Sequence, residues 1–187
     1  SPLVAAHLET LVGLDFIVMG EGEATLRELI CSINNGRGWE NLPGIAFKDN
    51  HTVRVNKPAS LIEDLDSIPL PARDLFPVKK YFELDIPMGI ISNRTPWINI
   101  ITSRGCPSRC AFCSSVNFWG RRYRTRSVKS VLDEMELLVS SFGVREIKFF
   151  DDNLTANLGR AKEIFRGMIE RGIDLAWNTP NGVAIWN

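Results

Sequence analysis

From Trp97 onward the apolar residues switch between two spacings, short continuous runs and longer stripes at three- and four-residue intervals, and few architectures accommodate both. The runs Trp97-Ile98-Asn99-Ile100-Ile101, Ile147-Lys148-Phe149-Phe150 and Leu175-Ala176-Trp177 read as strands. Between them, Ser127 caps a helix whose stripe is Val128, Val131, Leu132, Met135, Leu138 and Val139, and a second stripe, Leu158, Ala161, Ile164, Phe165, Met168 and Ile169, stops at Gly172. Three β/α steps dictate a parallel sheet with right-handed crossovers. In such sheets ligands gather where strands end and loops begin.

Upstream the pattern is less regular. Val4, Leu8, Leu11 and Val12 share one helical face that Gly13 ends. Phe16-Ile17-Val18-Met19 reads as a parallel strand buried on both faces, followed by a helix burying Leu26, Leu29, Ile30 and Ile33. Ile45-Ala46-Phe47, the turn Lys48-Asp49-Asn50 and Thr52-Val53-Arg54-Val55 read as a β-hairpin. Pro69, Pro71 and Pro77 mark a linker. The expected division is residues 1–36, the end of an open α/β domain, residues 37–96, hairpin and linker, and residues 97–187, the opening of a second α/β unit.

The 187 residues carry 22 basic and 22 acidic side chains and are 44% hydrophobic, a soluble globular composition whose balanced charge gives no general attraction to nucleic acid or anionic membrane. No apolar run approaches the roughly 20 residues of a membrane span, and no secretory signal opens the chain, so the expected location is cytoplasmic. Beginning at Ser1 and stopping at Asn187, the chain reads as an excerpt of a longer polypeptide. Three of its four cysteines fall within eight residues, too crowded for a disulfide framework and suited to a metal site.

Those three stand in Ser103-Arg104-Gly105-Cys106-Pro107-Ser108-Arg109-Cys110-Ala111-Phe112-Cys113, a C-x3-C-x2-C spacing directly after a strand. Three thiolates on one tight loop suit three corners of an iron–sulfide cube and leave the fourth iron open. Structural zinc wants four ligands and an electron-transfer ferredoxin a fourth nearby cysteine, whereas Cys31, His7 and His51 lie far upstream. Cys31, on the rim of its helix stripe, reads as a buried, inert thiol, and His7 as an ordinary helical residue.

This cysteine string, with aromatic Phe112 before the last cysteine, resembles the signature of the radical S-adenosylmethionine superfamily. The resemblance implies a [4Fe–4S] cluster on Cys106, Cys110 and Cys113 and S-adenosylmethionine chelated to the open iron. It further implies reductive cleavage to a 5′-deoxyadenosyl radical, Phe112 beside the adenine, and a β/α barrel of which this chain supplies about three units. The fuller strings SRGCPSRCAFC, WG followed by RYRTRS, FFDDNLT and TPNG, with DFIVMGEGEATLREL, LPGIAF and DLDSIPLPARDLFP upstream, resemble the branch with a cobalamin-binding domain ahead of the radical domain. That branch includes methyltransferases of unactivated carbon and the anaerobic magnesium-protoporphyrin monomethyl ester cyclase. The implied fold class is α/β, the C-terminal part of a Rossmann-like cobalamin-binding domain followed by the first units of a partial TIM-type barrel. The implied reaction is cobalamin-assisted methyl transfer or oxidative cyclisation. The implied partners are a small-molecule or secondary-metabolite substrate and an external electron donor such as flavodoxin or ferredoxin, with nucleic acid not expected.

The D-x-H-x-x-G signature of the cobalamin ligand is missing: around His7, Ala5 and Thr10 hold the corresponding positions. A methylthiotransferase acting on transfer RNA resembles this chain around the cluster but would need three further upstream cysteines, and only Cys31 is there. A non-catalytic zinc domain is the alternative from another class. With so few barrel units the chain alone is expected to leave apolar surface uncovered and to be poorly soluble and inactive.

Asp151, Asp152 and Asn153 end the second strand, where the superfamily's glycine-rich turn contacts the methionine amino group. The Gly-Gly-Glu sequence itself is missing, and capping of the next helix explains these residues equally well. Arg121, Arg122, Arg124 and Arg126 either bind a carboxylate or form a solvated loop. Asn178, Thr179, Asn181 and Gly182 could touch the ribose, or simply make a turn. Glu21 and Glu23 read as favourable charges at a helix N-terminus.

Overall fold

The computed structural model describes residues 2–50, 52–86 and 92–183. It packs as two compact units, Ser1–Glu63 and Asp64–Asn187.

In the first unit, α1 (Pro2–Thr10), β1 (Phe16–Val18), α2 (Gly22–Asn34), β2 (Ile45–Asp49) and β3 (Thr52–Val55) follow one another. The hairpin forms as read, with Asn50 at φ 55° in its turn, a conformation asparagine tolerates. His51 lies outside the described residues. Leu29, Ile45 and Phe47 form the core with Phe16, Val18, Trp39 and Leu42, and Trp39 meets both Phe16 and Phe47 edge-on at 4.9 Å.

Several expectations fail here. β1 is not a parallel strand buried on both faces but pairs antiparallel with β2, Phe16 opposite Phe47, and is only half-buried. A continuous apolar run cannot by itself distinguish these two environments. Of the α2 stripe only Leu29 is buried; Leu26, Ile30 and Ile33 are about half exposed, because a sheet this small covers one narrow strip of helix. Cys31 is exposed rather than buried. α1 stops at Thr10, buries Leu8, and leaves Leu11 and Val12 exposed. Glu21 precedes α2 without a side-chain cap; it is buried, and its carboxylate accepts a 2.6 Å hydrogen bond from the Ile62 amide.

The second unit opens with the proline segment, which folds into 3-10 turns at Leu65–Ser67 and Arg73–Leu75 and then α3 (Val78–Leu84), a helix the proline count concealed. β4 (Trp97–Ile100), β7 (Glu146–Phe149) and β8 (Ala176–Asn178) form the expected parallel sheet in the order β4-β7-β8, with Ile98 opposite Ile147 and Ile147 opposite Trp177. Its crossovers are α5 (Val128–Phe142) and α6 (Leu158–Glu170). Between β4 and α5 the chain makes an excursion: β5 (Ser103–Arg104) pairs antiparallel with β6 (Arg124–Thr125), and α4 (Ser115–Trp119) lies between them.

α5 begins as read, the Ser127 hydroxyl accepting from the Ser130 amide, and ends at Gly143 in the left-handed conformation. The core joins Val131, Leu132, Met135 and Leu138 of α5 to Ile147 and Phe149 of β7 and Ile164 and Met168 of α6. Leu158 and Val139 are exposed, and Ile169 is 80% exposed, so the stripes are narrower than their apolar spacing suggests. The other side of β7 carries Glu146 and Lys148, both fully buried. Glu146 accepts from the amides of Asn93 (2.6 Å) and Arg94 (2.8 Å), and the Lys148 ammonium sits 3.9 Å from the Trp97 ring centroid.

Candidate functional site

A cavity of about 580 Å³ opens beyond the C-terminal end of the β4-β7-β8 sheet, where a parallel sheet offers strand-end loops to a ligand. Cys106, Cys110, Phe112 and Cys113 line one side; Asp152, Asn153, Asn181 and Gly182 line the other. Its size falls in the range for small-molecule and cofactor sites.

The thiols are free, with Cys106 half-buried and Cys110 and Cys113 exposed. Among the described residues no three His, Cys, Asp or Glu side chains gather closely enough for a single metal ion. That is unlike the closed four-ligand cage of structural zinc, whereas in a cubane each thiolate binds a different iron and need not converge on one point. Cys31 belongs to the other unit and lines no part of this cavity. The donor set is three thiols without a fourth, and it fits a cluster with one iron left for a small ligand. Phe112, 93% exposed, presents its ring beside them.

The loop holding these cysteines is tightly fixed at its base. Gly105 has φ +84°, and a Cβ there would lie 2.2 Å from the Arg122 carbonyl oxygen, so only glycine fits. Arg121 donates to the Ser108 carbonyl at 2.7 Å, tying the far side of the loop to the cysteine segment. The Arg104 guanidinium stacks over the Trp119 ring at 4.8 Å.

The strand-end residues divide by role. The Asp152 carboxylate accepts from the Ser115 hydroxyl and faces the cavity. Asn153 is buried, and its side-chain oxygen accepts from the Thr155 amide at 3.2 Å, capping the 3-10 turn Leu154–Ala156, while Asn157 caps α6. Asn181 reaches back from the β8 loop to donate to the carbonyls of Phe150 (3.2 Å) and Asp151 (3.3 Å). Two of the residues expected to face a ligand do not. Asp151 is buried with its carboxylate turned to Thr102 and Ser103, and Asn178 donates to Glu146 at 2.8 Å. Neither lines the cavity.

The arginine run is not a solvated loop throughout. Arg124 is buried, and Arg126 pairs with buried Glu134, which also forms an ion pair with Arg73 at 2.7 Å. Of the four, Arg121 alone lines the cavity. Spacing gave no sign of Ser115, Thr102, Ser103 or Arg160, because their importance lies in partners far along the chain.

Residues 100–184 match the radical SAM superfamily. The chain is 37% identical to an uncharacterized methyltransferase of Pyrococcus horikoshii, covering 93% of this chain and 36% of that protein. It is 32% identical to the cytidylyl-2-hydroxyethylphosphonate methyltransferase of Streptomyces wedmorensis, over 92% of this chain and 36% of that one. An anaerobic magnesium-protoporphyrin IX monomethyl ester cyclase of Cereibacter sphaeroides is 36% identical over 89% of this chain and 26% of its own length. Among solved structures, the radical S-adenosylmethionine methyltransferase TsrM from Kitasatospora setae, with cobalamin and a [4Fe-4S] cluster bound, superimposes with a TM-score of 0.63 at 25% identity, over 85% of this chain and 30% of that one. The cobalamin-dependent radical enzyme OxsB shares the fold, with a TM-score of 0.67 at 23% identity over 87% of this chain and 22% of that one. The chain thus spans about a third of the length of the first two relatives.

Proposed function

The chain carries a radical SAM domain over residues 100–184, and from that premise we propose that it is part of an enzyme that cleaves S-adenosylmethionine reductively and then transfers a methyl group or closes a ring on a small-molecule substrate. The observation that carries this reading is the single cavity shared by three thiols without a fourth and by the strand-end groups Asp152 and Asn181. When bound, a [4Fe–4S] cluster supplies the electron that breaks the sulfur–carbon bond of S-adenosylmethionine.

The chain's own residues do the rest. Cys106, Cys110 and Cys113 hold the cluster. Asp152, fixed by Ser115, offers a negative charge to the methionine ammonium, and Asn181 and Gly182 offer the β8 loop to the ribose. Phe112 supplies an apolar face to the adenine. In this reading residues 1–36, with the hairpin that completes their sheet, end a cobalamin-binding domain, the proline segment connects it, and residues 97–187 open the barrel; the cobalamin bound in the solved structure of TsrM supports cobalamin as the second cofactor. An external flavodoxin or ferredoxin is the proposed electron source. A cytoplasmic setting suits free thiols and an oxygen-sensitive cluster. Among the described residues no helix is long and apolar enough to cross a membrane.

Single replacement of each cysteine by alanine in the whole protein tests the ligand set. Loss of bound iron is expected for Cys106, Cys110 and Cys113 and not for Cys31. Iron loss on replacing Cys31, or full retention in any of the other three, contradicts it.

A further inference from the structure

Ser103 to Thr125, 23 residues carrying all three clustered cysteines, form one excursion between β4 and α5 of the second unit. Its two ends meet at a buried polar knot. On the outgoing side, the Asp151 carboxylate accepts from the Thr102 amide (3.2 Å), the Thr102 hydroxyl (2.8 Å) and the Ser103 hydroxyl. On the returning side, the Arg126 amide donates to the Thr102 carbonyl at 2.9 Å. Arg160, from α6, spans both: its guanidinium donates to the Thr102 carbonyl (3.0 Å), the Thr102 hydroxyl (3.2 Å) and the Arg126 carbonyl (3.0 and 3.1 Å). Thr102, Ser103, Asp151 and Arg160 are all buried.

Resting on the radical reading above, we infer that Asp151 and Arg160 are positioning residues that clamp the two ends of the cysteine excursion together and so set where Cys106 stands relative to Asp152. A buried carboxylate and guanidinium are a costly way to fill space, and apolar side chains of the same volume would pack the core at least as well. What the pair adds is direction. Its hydrogen bonds go to main-chain and hydroxyl groups at the two ends of one loop, leaving the loop little freedom to splay. Burial pushes the Asp151 carboxyl up, while the Ser103 and Thr102 hydrogen bonds and the Arg160 charge oppose that rise. Asp151 also precedes Asp152 directly, so the clamp and the cavity carboxylate share one stretch of backbone.

Two variants of the whole protein test this: Arg160→Met, which keeps an apolar stem without the donors, and Thr102→Val, which keeps the shape and removes the shared hydroxyl. In cluster-free protein, alkylation of Cys106 is expected to quicken about fivefold or more in Arg160→Met and measurably in Thr102→Val. Alkylation of Cys31, in the other unit, serves as the internal control and stays at the wild-type rate. In reconstituted protein, a chelator strips iron faster from both variants than from wild type. Unchanged Cys106 reactivity in both variants, or equal acceleration at Cys31, overturns the clamp. The alkylation arm needs no cluster, so wild-type protein that assembled no cubane would sink the radical reading while the clamp was still judged by its own thiol.

Discussion

The Asp152 carboxylate accepts a hydrogen bond from the hydroxyl of Ser115, two residues beyond Cys113, and so joins the exit of β7 to the end of the cysteine segment. Both line the same cavity. The contact fixes a negative charge beside three thiols. Replacing Asp152 by alanine removes a charge-assisted contact of about 1.5–3 kcal/mol, so binding of S-adenosylmethionine should weaken roughly tenfold or more. Iron content should stay at the wild-type level. Equilibrium binding to reconstituted protein checks this, and unchanged affinity would remove Asp152 from the site.

Gly105→Ala should be far more damaging than a surface alanine. The position is left-handed, and the new Cβ would strike the Arg122 backbone carbonyl, which no side-chain rotation can relieve. We expect a folded protein, by circular dichroism, that assembles little cluster, because the loop must shift to admit the methyl group.

Glu134 is buried on α5 between Arg73 and Arg126, tying the proline segment to the helix that follows the cysteine excursion. Removing the carboxylate leaves two guanidinium groups facing each other without compensation. Glu134→Ala is expected to lower unfolding stability by about 3 kcal/mol. Denaturant titration reads the loss directly.

Asp66 gives the chain a measurable acid dependence. Burial alone would raise its carboxyl, but hydrogen bonds from Ser127 and Ser130 and the charge of Arg126 outweigh that and hold it below the usual carboxylate range. A folded value below the unfolded one means its contribution is complete above the usual carboxylate range and is lost as pH falls through the lower folded value. The group is exposed, so the contribution is about 1 kcal/mol or less. Asp66→Asn should therefore melt slightly lower than wild type near neutral pH, with the two converging in acid once the lowered carboxyl is protonated. A gap that persisted in acid would show that the carboxylate charge is not responsible.

The parallel sheet of the second unit and its two crossover helices were legible because their signals are local. Ser127 caps α5, and the three β/α steps need only a stripe and a run each. The cysteine triplet was legible for the same reason. The first unit misled because Phe16-Ile17-Val18 reads alike in a parallel core strand and in this half-buried antiparallel one, and the pairing that decides between them lies about thirty residues away. Asp151 misled differently. Position at a strand end favours a ligand contact, but Thr102, Ser103 and Arg160 claim its surroundings, and such partners do not show in spacing. Its neighbour Asp152, one peptide bond away, is the carboxylate that reaches the cavity.

Three cysteines sharing one cavity with a fourth iron position left open is the claim on which the functional reading stands. Anaerobic reconstitution of the whole protein with iron and sulfide, followed by electron paramagnetic resonance of the reduced sample with and without S-adenosylmethionine, tests it most directly. The account predicts about four irons per chain and a spectrum that changes when S-adenosylmethionine is added. A single tightly held zinc, or a cluster whose spectrum ignores S-adenosylmethionine, would contradict it.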